Sequence, residues 1–322
     1  MRETRFSWVF LTEGFAYKLK KPAVTRYFDH RTAAERRATC EAEVRLNQRL
    51  AAGIYLGLVP LVQVRGGQLQ LGGDGRPVDW LVRMRRLPEA RLLDAAIRRG
   101  TLRRAEIEAV ADRLASFYAA AVPVSLDAQE YLQRFADEQV ENHRMLHDGA
   151  FRLEDADVQA VLAAVDAIIC NDGDMLRARL HAGRIVEGHG DLRPEHVYLA
   201  DPPAVIDCLE FSRRLRLLDP FEELAYLGME CAVLGAAWVG PLLIERCVAR
   251  LSDPVPDRLI AFYVAFRAAM RARQSVAHLR DHPVRQPEKW LPLAQRYLAV
   301  GVEAAAKLRT PDECDAPTGT QH

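Results

Sequence analysis

Two short runs open the chain, SWVFL (7–11) and FAYKLKK (15–21). Each alternates apolar and polar positions, and Thr12–Gly14 between them is a hairpin signal. Pro22 stops the second run. From about Thr32 to Ala51 the period changes: Ala38, Ala42, Leu46 and Leu50 recur at helical spacing. YLGLVPLVQV and then GGQLQLGGDGRPVDWLVRMRRL read as three strands separated by glycine turns. After Pro88 the pattern is helical, near 104–121, 127–147, 155–170 and 174–182, with Ile107, Val110, Leu114, Phe117 and Tyr118 as the buried face of the first. Three short β-like runs follow (RIVEGH, HVYLA, PAVIDCLEF), then helices near 219–235, 240–251, 256–280 and 288–308. The last thirteen residues, TPDECDAPTGTQH, are polar and are expected to be disordered. The pattern thus predicts an α+β chain, a small antiparallel sheet with one helix followed by a larger helical part, with the seam near Met84–Pro88.

The chemistry concentrates in two of the β-like segments. HGDLRPEHVYL (189–199) carries Asp191, with His189 before it and His196 after it; IDCLEF (206–211) carries Asp207. Two carboxylates at the ends of neighbouring short runs suit a divalent cation, or a cation on one and base chemistry on the other. Hard cations take oxygen ligands and share them with phosphates. Phosphoryl transfer asks for that set: a metal-holding aspartate, an aspartate for the attacking hydroxyl, and a lysine on the phosphates. A kinase catalytic loop carries its metal-binding residue five positions after its aspartate, and here that position is His196. A metal-dependent hydrolase built on His189, Asp191, His196 and Asp207 is a further reading, but it leaves the N-terminal runs without a role.

HGDLRPEHVYL with VIDCLEF resembles the aminoglycoside phosphotransferase family, the small-molecule branch of the protein-kinase-like fold. SWVFLTEGFAYKLKKP, CEAEVRLNQRLAAGIYLGLVPL, LVRMRRLPEARLLD and CLEFSRRLRLLDPFEELAYLGMEC extend the resemblance over roughly residues 6–300. Together they are similar to an uncharacterised bacterial subgroup often fused to a P-loop ATP-binding domain. The resemblance implies a two-lobed fold, with a nucleotide-binding lobe over 1–86, a catalytic and substrate lobe over 87–309, and a tail over 310–322. It implies ATP and Mg2+ as cofactors and a small-molecule hydroxyl as acceptor, with a separate P-loop ATPase as a further partner. Asp191 would orient or deprotonate that hydroxyl, and Asp207 would hold magnesium, with His196 beside it in place of the family's loop Asn. Lys18 would touch the phosphates, with Lys20 as the alternative. Glu43 would pair with that lysine, with Glu41 as the alternative. Met84 and Arg85 open the hinge segment whose backbone would meet adenine. His189, Arg193, Glu210 and Glu223 would support the site: His189 as a hydrogen-bonder to loop backbone, Arg193 in place of the family's second His, and Glu223 where the family has an Asp that braces the catalytic loop. Glu210 is open between a second metal contact and an ion pair with Arg213 or Arg214. The His at 196 also admits a second reading, a weak or inactive kinase-like module that binds nucleotide for regulation.

Other features narrow the picture. Between Asp207 and DPFEEL only about a dozen residues intervene and no A-P-E follows, which argues against a protein substrate. The acceptor pocket is then expected from helices at 130–147 and 256–300, with Glu141, His143, Tyr263, Arg267 and Arg271 as candidates. No G-x-x-x-x-G-K-[ST] is present, so ATP binding must rest on the kinase-like cleft. No G-x-G-x-x-G precedes SWVFL, which leaves open a late start or a reduced roof over the phosphates. With 44 basic and 44 acidic residues the formal charge is zero, which argues against a dedicated nucleic-acid binder. Six cysteines without a C-x-x-C pair read as reduced, buried thiols, which suits the cytoplasm. MRETRFSWVF lacks the apolar core of a secretory signal, and the apolar stretch around 224–244 contains Glu230 and three glycines, so buried helices rather than a membrane span are expected.

Overall fold

The computed structural model describes residues 1–309; the predicted tail and Cys314 lie outside the described residues. The chain forms two compact units: Met1–Val122 with Val186–Leu218, and Pro123–Ile185 with the chain from Asp219 onward.

The first unit is built on a six-stranded antiparallel sheet. Its strands are β1 (Arg2–Glu3), β2 (Ser7–Leu11), β3 (Phe15–Lys20), β4 (Tyr55–Gln63), β5 (Leu69–Leu71) and β6 (Arg76–Arg85), in spatial order β1-β2-β3-β6-β4-β5. The β2–β3 hairpin closes where predicted: the Thr12 amide and hydroxyl both donate to the Phe15 carbonyl. Its register sets Lys18 opposite Val9 and Val82. Lys20, two residues on, lies on the same face by the period of a strand. Helix α1 (Ala33–Asn47) starts with a capping box, Thr32 and Glu35 each satisfying the other's backbone.

The predicted stripe on α1 needs correction. Ala38 is exposed and Ala42 half-buried. The buried face instead runs through Arg36, Cys40, Glu43, Leu46 and Asn47. Two of these are charged, and burial of a charge demands a partner. Arg36 finds one in Asp79 of β6, with Nε 3.1 Å from Oδ1 and Nη2 2.8 Å from Oδ2. That bidentate pair clamps α1 onto the sheet, over a cluster of Cys40, Ala51, Tyr55, Val82 and Ala204.

The remaining helices of this unit are α2 (Leu93–Arg98) and α3 (Arg104–Ala119). Six residues are too few to show a helical period, so α2 had no sequence signal, and two-residue β1 had none either. On α3 the predicted face is buried except Phe117, which is half-buried beneath the Arg49 guanidinium at 5.1 Å from its ring centre. The three β-like runs contribute β7 (Val186–Glu187), β8 (Val197–Tyr198) and β9 (Ala204–Val205), and β10 (Leu217–Leu218) completes the set. β8 pairs with β9 and β7 with β10, all antiparallel.

The second unit is helical: α4 (Ala128–Leu146), α5 (Asp155–Asn171), α6 (Asp174–His181), α7 (Pro220–Val233), α8 (Val239–Leu251), α9 (Asp257–Ala277) and α10 (Pro287–Arg309). Nearly all of α7 is buried. A Cβ on Gly228 would stand 2.6 Å from Gly240 Cα, so glycine at both positions permits α7 and α8 to cross backbone to backbone. The apolar stretch is therefore core, and among the described residues no helix is long and apolar enough to cross a membrane. Of the five described cysteines, Cys40, Cys208, Cys231 and Cys247 are buried as expected. Cys170 departs from that expectation: it is exposed at the end of α5.

Candidate active site

The residues from the two motifs and from the strand and helix ahead of them meet within the first unit. Glu43 is fully buried and holds two lysines at once: Oε1 is 2.9 Å from Lys18 Nζ and Oε2 is 2.5 Å from Lys20 Nζ. Lys18 also reaches Asp207 Oδ1 at 2.6 Å, and Lys20 pairs with Glu210. The two lysines thus take different carboxylates of the 207–210 segment while sharing one on α1. Arg213, one expected partner for Glu210, pairs instead with Glu187. Glu41, the alternative to Glu43, faces outward and pairs with Arg37.

Burial works against the charged form of Lys18, but Asp207 and then Glu43 beside it raise its pKa well above the ordinary lysine range. Lys20 is raised by Glu210 and Glu43 against the same penalty. Burial would push Glu43 up, yet the two ammonium groups hold it below its usual value. Asp207 is likewise opposed by burial and held far below the carboxylate range by Lys18. All four groups are therefore charged at neutral pH.

Asp207 sits at a turn with φ 59°, a left-handed backbone that a non-glycine residue adopts only when its surroundings enforce it. The enforcement is visible. Its amide donates to the Tyr55 hydroxyl at 3.0 Å, and the next amide, Cys208, donates to Asn47 Oδ1 at 2.9 Å. Arg49 donates to the carbonyls of Glu187 and Gly188 at 2.8 and 2.7 Å. Asn47 and Arg49 follow Glu43 on and just past α1, so one helix end orders both loops. Sequence reasoning missed Tyr55, Asn47 and Arg49. Their only local mark is polarity on an otherwise buried face. Gly190 has φ 87°, and a Cβ there would meet Arg216 and Leu209 at 3.0 Å, so the loop passes where only glycine fits.

His196 stands between the two aspartates. Its Nδ1 donates to the Asp191 backbone carbonyl at 2.8 Å and lies 3.9 Å from the Asp191 carboxylate. Its Nε2 is 3.6 Å from Asp207 Oδ2. Arg193 bridges Asp191 at 3.1 Å and Glu195 at 2.8 Å. The Asp191 and Asp207 side chains are partly open to solvent, 28% and 43%.

His189 serves the loop backbone, as expected. Nε2 donates to the Ile206 carbonyl at 2.9 Å, and Nδ1 accepts from the Asp191 amide at 3.3 Å. A second proton would have to sit on Nδ1 against that amide. Burial first of all holds the imidazole down at about 4. Above pH 6.5 folded and unfolded chains both carry neutral His189. Between 6.5 and about 4 the unfolded chain takes up a proton that the folded chain refuses, so stability is lost as pH falls. The expected loss is about 3 kcal/mol from this group. Chemical denaturation at pH 7 and pH 4 measures it, and His189→Asn should show a shallower fall; equal falls in both proteins would contradict the assignment.

The remaining predicted residues are placed as follows. Met84 packs against the cluster beneath α1, opposite Tyr55 on β4, while Arg85 at the strand end donates to the Gly53 carbonyl at 2.9 Å. Glu223 is buried on α7 in the second unit. The acceptor candidates, also in that unit, are engaged in pairs: Tyr263 with Asp219, Arg267 with Glu222, Arg271 with Glu230, His143 with Asp166 and Glu141 with Arg144.

No family model matches the chain. It is 34% identical over 276 residues to uncharacterised proteins of Mycobacterium tuberculosis and Mycobacterium bovis. The match takes 85% of this chain and 54% of theirs, so the chain spans about half the length of the curated relatives it matches. Among solved structures it is similar to a choline kinase from Cryptosporidium parvum (TM-score 0.57, 9% identity, 96% of this chain and 88% of that one). It is also similar to an AMP-bound spectinomycin phosphotransferase (0.52, 14%, 95% and 92%). A choline/ethanolamine kinase family protein from Mesorhizobium loti is comparable (0.51, 13%, 95% and 90%). These neighbours are phosphotransferases, and the likeness shows that the chain has the α+β fold of aminoglycoside phosphotransferases and choline kinases.

Proposed function

We propose that this protein is a phosphotransferase that moves the γ-phosphoryl group of ATP to a hydroxyl of a small molecule. One observation carries the reading: a single imidazole, His196, lies between Asp191 and Asp207, while Lys18, paired with the buried Glu43, meets Asp207 from the other side. That is the division of labour phosphoryl transfer requires. Lys18, kept protonated by its two carboxylates, would present positive charge to the phosphates. Asp191 would accept the hydrogen bond of the acceptor hydroxyl and take its proton. The hinge segment 84–88 would receive the adenine, but at backbone beyond Met84 and Arg85, because those two residues are already paired within the sheet on β6.

The donor set fits a divalent cation. Among the described residues no group of three or more His, Cys, Asp or Glu side chains is arranged to hold an ion. The site therefore suits one completed by phosphate oxygens and water, with Asp207 and His196 as protein ligands. When bound, Mg2+ or a related ion would neutralise the nucleotide phosphates. The chain's own task is to keep Asp207 ionised and correctly aimed, which Lys18, Tyr55 and Asn47 do.

A second reading has one observation in its favour. Arg193 is paired with Asp191, and a carboxylate held by a guanidinium is a weaker base. That arrangement suits a nucleotide-binding regulatory module.

The direct test is a thermal-shift panel with ATP, GTP and ADP, with and without Mg2+. A nucleotide at 100 times its Kd should stabilise by about 2.7 kcal/mol. The expected result is a rise of several degrees that requires both nucleotide and metal and disappears in Asp207→Asn. No shift with any nucleotide would refute the proposal.

A further inference from the structure

We infer that the cation site of this protein is a mixed nitrogen–oxygen site that favours a divalent transition ion, of the Mn2+ and Co2+ class, over Mg2+. The inference rests on the nucleotide reading above and specifies its cofactor.

Three observations on His196 support it. First, its tautomer is set from two directions. Nδ1 lies 2.8 Å from the Asp191 carbonyl, which can only accept, so Nδ1 carries the proton. Arg193 Nη2, which can only donate, lies 3.4 Å from Nε2. The lone pair is therefore on Nε2. Second, that lone pair belongs to a nitrogen 3.6 Å from Asp207 Oδ2. Nitrogen and oxygen ligands sit about 2.0–2.2 Å from such ions, so this separation lies within the span of two ligands on one ion. The other carboxylate oxygen is held by Lys18 at 2.6 Å, which leaves Oδ2 as the one turned to His196. Third, a metal-binding histidine generally donates its second ring N–H to a backbone carbonyl or carboxylate, which fixes the ring and raises the basicity of the ligating nitrogen. The Asp191 carbonyl plays that part here.

The chemical consequence follows from ligand type. Magnesium prefers a shell of oxygens and dehydrates reluctantly, whereas first-row transition ions accept an imidazole nitrogen more readily, Mn2+ least and Co2+ more among them. The imidazole is almost fully buried, so the choice is built into the loop rather than offered by a mobile side chain. An entering ion displaces the Arg193 contact at Nε2, and Arg193 keeps Asp191 and Glu195 as partners.

The test uses the whole chain with the nucleotide analogue adenosine 5′-(β,γ-methylene)triphosphate and Mn2+ as the probe, and reads coordination rather than turnover. Protein labelled with 15N only in histidine is examined by pulsed electron paramagnetic resonance. The expected result is a directly bonded 15N coupling to Mn2+. Competition titrations should show Mn2+ held at least tenfold more tightly than Mg2+, a preference that His196→Asn removes while the protein stays folded. Absence of the 15N coupling, in a complex whose Mn2+ is still lost in Asp207→Asn, overturns this inference and leaves the nucleotide reading standing. Failure of the wild-type protein to bind Mn2+ with the analogue, or binding that survives Asp207→Asn, overturns both. The labelled wild-type measurement needs no substitution, so a misfolded variant does not decide the outcome.

Discussion

Replacing Glu43 with alanine is expected to destabilise the protein by about 3–5 kcal/mol, the cost of removing one partner from a buried ion pair. Glu43 is 0% exposed and serves two ammonium groups, one of them, Lys20, only 2% exposed. Without it the two lysines face each other with Asp207 and Glu210 as their remaining carboxylates, and the net charge of the cluster changes from −1 to 0 only by leaving two cations unbridged. Glu43→Gln keeps the volume and a carbonyl acceptor, so its loss should be smaller. Glu41→Ala, at an exposed position, should shift stability by less than about 0.5 kcal/mol. Chemical denaturation measures all three, and hydrogen exchange of the α1 amides locates the effect. A Glu43→Ala protein as stable as its parent would mean that the lysines do not converge on this carboxylate.

The second large effect concerns Asp191. In the phosphotransferase reading, Asp191→Asn should lower phosphoryl transfer by about 10²–10⁴-fold, the usual range for general base catalysis. Asparagine is isosteric and still accepts one hydrogen bond, so the thermal shift with nucleotide and metal should persist. Single-turnover transfer, read beside that shift, separates the roles. Equal loss of both would make Asp191 a structural residue. Wild-type protein that binds nucleotide but shows no turnover with any hydroxyl acceptor would favour the regulatory module, with Arg193 holding Asp191 closed to protons. Arg193→Ala would then be expected to restore Asp191 as a base.

Much of the local structure was legible before any coordinates. Hairpin chemistry at Thr12–Gly14, glycine turns between strands and helical periodicity beyond Arg104 each reflect constraints that act within a few residues. The α1 stripe was misread because its buried positions are not apolar: Arg36 and Glu43 are inside because Asp79 and the two lysines neutralise them. A hydrophobic pattern cannot register a position whose burial depends on a partner about twenty to forty residues away. The same holds for Tyr55 and Asn47, which look ordinary until the backbone of Asp207 and Cys208 arrives beside them.

For the candidate site, residue types and spacing nominated Asp191 and Asp207, while Lys18 and Glu43 were nominated through the family resemblance, with Lys20 and Glu41 as alternatives. Which charges pair was decided by the fold. Sheet register put Lys18 and Lys20 on one face, and the left-handed turn at Asp207 sent Asp207 to the first and Glu210 to the second. The tautomer of His196, and with it the character of the cation site, likewise depends on a carbonyl and a guanidinium delivered by the loop's path. Covalent order determines which groups are available, but electrostatic pairing falls off over a few ångströms, so only the folded backbone determines which of them interact.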